Sequence, residues 1–89
     1  MTAMTTTTPS HRDLALLRAV AAGRAQITCS CEPDLFIDGV ACCDQVAAGR
    51  LARSGLVEAR VPAALGQRVP ARLTALGARV LGEGLGLSA

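Results

Sequence analysis

All four cysteines of this chain lie within fifteen residues, and their thiols are the side chains best suited to chemistry. They form a Cys-x-Cys pair and an adjacent pair: Cys29, Cys31, Cys42 and Cys43. Four thiolates could hold one tetrahedral zinc ion, or two thiols could act as a redox-sensing pair. Zinc sites usually separate paired cysteines by two residues, and unpaired cysteines are often buried as small apolar side chains. The spacing therefore favours structural cysteines and leaves zinc and redox sensing as alternatives.

The arginines are the second set of side chains that could carry a function, through binding. The chain has nine arginines and no lysine, against seven Asp and Glu. Residues 26–44 carry four acidic and no basic residues, whereas residues 45–80 carry six arginines and one acidic residue. The planar guanidinium binds phosphates and guanine edges through two-pronged contacts. The candidate DNA-binding residues are Gln45, Arg50, Arg53, Arg60, Arg68 and Arg72.

Enzymatic catalysis is not expected. His11 is the single histidine, and it precedes an apolar helical pattern in the first turn, where exposure is the ordinary outcome. No cysteine has a base nearby in the sequence. A Ser-His-Asp set would have to recruit Ser10, Ser30, Ser54 or Ser88 without any supporting motif. The predicted catalytic set is therefore empty.

The composition predicts one small domain with a thin core. The chain has 89 residues, 51% of them hydrophobic, but Phe36 is the only aromatic residue. A homodimer would add buried area, and leucines near the C-terminus could supply it: Leu76, Leu81, Leu85 and Leu87. The sequence shows neither a signal-peptide pattern nor an apolar run of membrane-spanning length, so we expect a cytoplasmic protein without membrane contact.

Helix-capping and turn residues predict the helices and strands that position these side chains. We expect a disordered tail over residues 1–9, a domain over residues 10–82 and a frayed end over residues 83–89. Ser10 and Asp13 predict a capped first helix that ends at Gly23. Residues 25–40 predict a short β-hairpin followed by an Asp-Gly turn, with a short helix over residues 33–39 as the alternative.

The second half of the chain predicts a helix, two strands and a final helix. The second helix begins near Asp44 and ends at Gly55. Strands over residues 56–61 and 68–73 follow, and Pro70 implies that the second is an edge strand. Thr74 should cap the final helix.

Residues 44–82 resemble winged-helix DNA-binding domains of the MarR type. The resemblance is carried by Gly55-Leu56-Val57 at the end of the second helix and by an Arg-Leu-Thr-x-x-Gly step over residues 72–77. Cys29 and Cys31, the first of them 26 residues before Gly55, also resemble the Cys-x-Cys of metal-sensing ArsR-type proteins. The resemblance implies a small α+β winged-helix-like domain with three helices, a short hairpin and a two-stranded wing.

The expected function is transcription-associated binding of double-stranded DNA. In a winged helix the second helix enters the major groove and the wing lies near the backbone or minor groove. We expect Arg50 and Arg53 on the helix to share one electropositive face with Arg68 and Arg72 on the wing. The alternatives are a protein-interaction module on the same fold and a cysteine-based metal or redox sensor.

Overall fold

The computed structural model describes residues 10–84, which form three helices and five strands. The helices span His11–Ala21 (α1), Gln45–Arg53 (α2) and Ala75–Gly84 (α3). The strands span Ala25–Thr28 (β1), Leu35–Ile37 (β2), Val40–Ala41 (β3), Val57–Ala59 (β4) and Arg68–Leu73 (β5). The predicted tail over residues 1–9 lies outside the described residues, as do residues 85–89, while α3 continues past residue 82 to Gly84.

The strands form one antiparallel sheet in the order β3-β2-β1-β5-β4. The α+β class is confirmed, but the predicted four strands are wrong by one. The extra strand arises because Asp38 and Gly39 both adopt positive φ, 54° and 83°, and reverse the chain in a two-residue turn. Turns with two positive φ values match the twist of paired strands. The Asp-Gly turn is therefore itself a hairpin loop that pairs Ile37 with Val40.

The hairpin predicted for residues 25–40 is confirmed, because β1 pairs with β2 from Ala25 opposite Ile37 to Ile27 opposite Leu35. The alternative helix over residues 33–39 is wrong, since residues 35–37 are a strand. β1 also pairs with β5 on its other side, so the first hairpin and the predicted wing belong to one sheet.

Pro70 does not mark an edge strand, because β5 lies between β1 and β4. The strand changes neighbour at this point: residues 68–70 pair with β1 and residues 71–73 pair with β4. The Pro70 carbonyl accepts a bond from the Arg60 backbone N–H at 2.8 Å. The missing Pro70 N–H would point to the same side, toward a residue already past the end of β4. The internal position costs the ladder one bond, at its last pair beside the exposed Arg60, where water can replace the missing donor.

The core lies between the helices and one face of the sheet. Alternate residues of β5 divide cleanly, with Val69 and Ala71 buried and Arg68, Pro70 and Arg72 exposed. The buried strand residues join side chains from α1 and α2 in one cluster, in which Leu17 and Val20 are the largest fully buried residues. Within residues 10–84, no helix is long and apolar enough to cross a membrane.

Thr74 joins the start of α3 to the end of α2. Its hydroxyl donates to the Gly55 carbonyl at 2.6 Å and accepts from the Gly77 N–H at 3.0 Å, while its own N–H donates to the Leu56 carbonyl at 3.1 Å. A side chain at Gly77 would collide with the Leu56 carbonyl oxygen. The predicted Thr74 cap is confirmed, and the Arg-Leu-Thr-x-x-Gly step is a clamp that fixes α3 against the α2–β4 turn.

Candidate nucleic-acid interface and cysteine sites

The Gln45 side chain is hydrogen-bonded to the backbone in and near β2. Its amide nitrogen donates to the carbonyls of Leu35 at 3.0 Å and Cys42 at 2.7 Å, and its amide oxygen accepts from the Leu35 N–H at 3.0 Å. The same atoms would be needed to read an adenine edge. Gln45 therefore positions the first turn of α2, and base reading would require breaking all three bonds.

Two ion pairs join the first turn of α1 to α2, one at the N-cap of α2 and one in its second half. Arg50 of α2 pairs with Asp13 of α1, and Arg12 of α1 pairs with Asp44, the N-cap of α2, at 2.9 Å. Asp13 is buried and also accepts from the Ser10 backbone N–H, which completes the predicted capping box. We call these four residues the helix clasp. Arg50 is half exposed, but its guanidinium already serves a structural role.

Hydrogen bonds to the Asp44 carboxylate lower its pKa. The Ala47 N–H donates to it at 3.0 Å, and this bond and then the bond from Arg12 lower the pKa of Asp44. Desolvation opposes both effects. The hydrogen bond that Arg12 donates to Asp44, together with the charge of Asp44, raises the pKa of Arg12 in return.

Arg53 occupies the outward side of α2. The core-facing residues of this helix are Ala47, Ala48 and Leu51, and the helical period places Arg53 almost opposite to them. Its guanidinium folds back over Gly49, where a β-carbon would stand 2.9 Å from the Arg53 Nη1 atom. Within residues 10–84, Arg53 has no carboxylate partner within 4.0 Å.

The arginines of β5 occupy the outer face of the sheet, which no described helix covers. Arg68 lies over the Phe36 ring, with its guanidinium carbon 4.4 Å from the ring centroid. Arg72 pairs with Glu58 directly across the β4–β5 ladder at 2.8 Å. Arg60 follows β4, is exposed, and has no carboxylate partner within the part of the chain that the structure describes.

The structure does not bring the six candidate DNA-binding residues onto one face. Arg68 and Arg72 point away from the core on the sheet side, while Arg53 points away from it on the helix side, and Gln45 is bonded internally. The reason is the alternation of β5, which sends Val69 and Ala71 into the same core that receives α2. The expectation of one shared arginine face was therefore wrong for this arrangement of the elements.

A groove of about 310 Å³ separates α2 from the loop between β4 and β5, which we call the wing loop (residues 60–67). Ala52 lies on one side, Val61 and Ala63 on the other, and Cys29 and Pro33 of the β1–β2 connection close one end. The Gly66 N–H donates to the Cys29 carbonyl at 2.7 Å, so the β1–β2 connection and the wing loop are joined. Arg53 follows Ala52 and Arg60 precedes Val61 in the chain, so each arginine is next to a residue that lines the groove.

The four cysteines do not assemble into the predicted zinc site. Cys29 lies beyond the end of β1, bonded through its backbone to Gln67, whereas the Cys42 N–H donates to Leu35 of β2 on the far side. β2 stands between β1 and β3, so the two cysteine pairs are about two strand spacings, roughly 10 Å, apart. Within residues 10–84, no three or more His, Cys, Asp or Glu side chains cluster closely enough to hold a metal ion.

The cysteines differ in exposure, and none is in a disulfide. Cys42 is half-buried and packs against the core, as expected for a structural cysteine, and Cys29 is also half-buried. Cys31 and Cys43 are exposed, so the core interpretation fails for these two. Zinc binding stays a prediction without a geometric site to support it.

Sequence reasoning missed the helix clasp. Asp13 was identified only as a cap, because its partner Arg50 lies 37 residues away and no local pattern links them. Arg12 and Asp44 are 32 residues apart. The one available signal was the presence of an acidic residue in the first turn or cap of each helix, where the helix dipole favours it.

Comparison with known proteins gives no match: no family model, curated protein or solved structure matches this chain. The resemblance to winged-helix domains thus depends on the residues and the topology alone.

Proposed function

We propose that this domain is a winged-helix-like module that binds duplex DNA through the outer side of α2 and the wing loop. The order of helix, strand, helix, two-stranded wing and helix supports the finer fold assignment, as does the pairing of β1 with the second wing strand. In this fold the β2–β3 hairpin stands between β1 and α2, where a helix-turn-helix would have another helix.

The distribution of unpaired arginines is the observation that carries the proposal. Four of the nine arginines form ion pairs within residues 10–84: Arg12, Arg24, Arg50 and Arg72. Of the five without such a partner, three lie in α2 or the wing: Arg53, Arg60 and Arg68. Unneutralised guanidinium groups are the ones that release counterions when they contact phosphates. Arg68 lies on the outer face of the sheet, away from α2, so affinity should come from Arg53 and Arg60.

Salt-dependent binding tests the proposal. Binding of the purified chain to a mixed-sequence fluorescent duplex would be measured by anisotropy across a salt series. Two phosphate contacts predict a slope of about −1.8 in log K against log salt, since each contact adds about −0.9. Arg53→Ala and Arg60→Ala should each flatten the slope by about 0.9, whereas Arg68→Ala should leave it unchanged.

Arg79→Ala is the matched control, because Arg79 is exposed on α3 and has no carboxylate partner among the described residues. It should leave the slope unchanged. The proposal is wrong if the wild-type chain shows no salt-sensitive binding at about 50 mM salt, or if Arg79→Ala weakens binding as much as Arg53→Ala does.

A protein partner is the second candidate, favoured by apolar side chains on the same surface. Val46 on α2 is 77% exposed and Leu65 in the wing loop is 82% exposed. Aliphatic side chains of this kind would pack against a protein more favourably than against phosphates. The predicted homodimer is its simplest form, and of the four leucines proposed for it, Leu76 is exposed and Leu81 packs against the core. Leu85 and Leu87 lie outside the described residues.

Light scattering over a concentration series tests self-association. Association that Val46→Ser and Leu65→Ser abolish, with no salt-sensitive DNA binding, would favour the protein-interaction candidate. A monomer at every concentration would remove the homodimer.

A further inference from the structure

A second groove, of about 410 Å³, lies between α1 and the link from β3 to α2. We call it the thiol groove. Three arginines and the two adjacent cysteines contribute to its lining: Arg12, Arg18, Arg24, Cys42 and Cys43. No other described cavity combines several cations with a thiol, and neither proposed binding surface uses this one.

The two thiols in the groove are not equivalent. Cys43 is exposed, whereas Cys42 is half-buried, packs against the core and directs its sulfur toward the Asp44 carbonyl oxygen at 3.8 Å. Neither is in a disulfide. Thiol exchange requires that the attacking sulfur reach the other sulfur in line. Cys43 is therefore the groove thiol that a dissolved molecule can reach.

The electrostatic environment of Cys43 is cationic. The groove lining contains three guanidinium groups and one carboxylate, that of Asp44. Arg12 pairs with Asp44, Arg24 pairs with Asp38 at 2.8 Å, and Arg18 has no carboxylate partner within residues 10–84. The pKa of Arg12 is raised chiefly by its hydrogen bond to Asp44 and then by the charge of that carboxylate. An anion that enters the groove meets an excess of positive charge.

The chain contains an internal comparison. Cys31 is exposed as well, but it lies in the β1–β2 connection beside Glu32 and Asp34. Neither of these carboxylates forms an ion pair within the described residues. Cys31 thus has acidic residues next to it in the chain, whereas Cys43 shares a groove with three arginines and the carboxylate of Asp44.

We propose that Cys43 is a site of thiol–disulfide exchange with small disulfides that carry carboxylates, and that the arginines of the thiol groove select this class. The Cys43 thiolate attacks one sulfur of the small disulfide. A bond forms between the Cys43 sulfur and that sulfur, and the original disulfide bond breaks. The departing thiolate takes up the proton that Cys43 lost, so Cys43 is oxidised while half of the reagent is reduced. This inference is independent of the proposed DNA binding.

Charge-varied reagents test the proposal on the reduced full chain. Glutathione disulfide carries net negative charge, cystamine is cationic, and hydroxyethyl disulfide is neutral. Rates of adduct formation at each cysteine would be followed by mass spectrometry of peptides, and each rate divided by that of the neutral reagent at the same cysteine. This division removes differences in exposure and intrinsic nucleophilicity.

The ratio of anionic to cationic reagent should be about tenfold higher at Cys43 than at Cys31, the lower end of what a charged cleft provides. The difference should collapse at about 1 M salt, where the screening length is about 3 Å. Arg18→Ala should reduce the preference at Cys43, and Arg79→Ala should leave it unchanged. Both arginines are exposed, so neither change threatens the fold.

Equal ratios at Cys43 and Cys31 would overturn the proposal. So would an Arg18→Ala variant that keeps the full preference, or anionic adducts that form faster at Cys29 or Cys42 than at Cys43. A Cys43→Ser variant that still takes up the anionic reagent at the wild-type rate would have the same consequence.

Discussion

Two helix glycines differ in what surrounds them: Gly49 lies in the middle of α2 and Gly77 in the first turn of α3. At Gly49 of α2, an added β-carbon would meet only the flexible end of Arg53, at 2.9 Å. At Gly77 of α3, it would meet the backbone carbonyl of Leu56 inside the Thr74 clamp. A guanidinium can rotate away, whereas the backbone of the α2–β4 turn is held by the bonds to Thr74. The first glycine is replaceable and the second is required.

Paired substitutions test this difference. Gly49→Ala should raise the free energy of unfolding by about 0.5–1 kcal/mol, because alanine loses less backbone entropy in a helix. Gly77→Ala should lower it by about 1–3 kcal/mol, because overpacking against backbone outweighs the same entropic gain. Urea unfolding of both variants measures the two values. Stabilisation by both alanines would show that α3 can move away from Leu56 without cost.

Residue roles were predictable only where the partner is close in sequence. The Ser10 and Asp13 capping box and the Thr74 cap depend on neighbours three residues away, and each is present. Gln45 was assigned to base reading because nothing in its neighbourhood indicates bonds to Leu35, ten residues earlier. Arg50 was assigned to DNA for the same reason, since its partner is 37 residues away.

At the scale of elements, α2 depends on a side chain for its position against β2. Gln45 completes the hydrogen bonding of Leu35 on the side of β2 that faces the helix, and it also bonds the Cys42 carbonyl in the preceding link. The amide therefore replaces a further strand partner at the point where β3 has ended. Loss of its donors would leave the Cys42 carbonyl without this bond and the Leu35 carbonyl with the Cys42 N–H alone, both in a part-buried region.

Gln45→Glu isolates those donors. The variant keeps an acceptor for the Leu35 N–H but turns a carboxylate toward the carbonyls of Leu35 and Cys42, so we expect a loss of about 1–3 kcal/mol in the free energy of unfolding. Gln67→Glu is the control: its side chain only accepts an exposed bond, from Ala64, and the change should stay within about 0.5 kcal/mol. Equal urea midpoints for the two variants would show that Gln45 does not position α2.

Helices and strands whose sequence shows a regular apolar period and capping residues were predicted well. Features that depend on which strands pair were not. β5 spans Arg68–Leu73 as its alternation predicts, and α1 begins and ends near its cap and Gly23. β3 has only two residues, too few for alternation to show. Its existence follows from the positive φ values of Asp38 and Gly39 rather than from its own side chains. The internal place of Pro70 likewise depends on which strands β5 meets.

At the scale of the whole molecule, ion pairs connect parts that are distant in sequence. The helix clasp joins α1 to α2, and Arg24 joins Asp38, so the turn after α1 is tied to the β2–β3 loop. A core made largely of alanine, valine and leucine buries little area per residue, as the composition predicts. Small domains have a low free energy of unfolding. The loss of these ion pairs should therefore measurably lower the stability of the whole domain.

Acid should therefore destabilise the protein over a defined range. The pKa of Asp44 is lowered chiefly by the Ala47 N–H and then by Arg12, and the pKa of Asp38 is lowered chiefly by Arg24. A carboxyl whose pKa is lower in the folded chain stabilises the fold above its unfolded pKa, and that contribution disappears as the pH falls through the folded value. Thermal unfolding should consequently show a steady Tm near neutral pH and a decline below about pH 4.

Asp44→Asn separates the charge from the cap, because asparagine can still accept the Ala47 N–H but cannot hold Arg12 as an ion. The variant should be less stable than wild type near neutral pH and should lose less on acidification, so that the two curves converge toward about pH 3. Asp34→Asn, which removes an exposed carboxylate without an ion pair within residues 10–84, should keep the wild-type curve. Parallel Tm curves for Asp44→Asn and wild type would mean that the Arg12–Asp44 ion pair contributes nothing to stability in solution. The pair of Asp13 and Arg50 would then be the part of the helix clasp that supports the packing of α1 against α2.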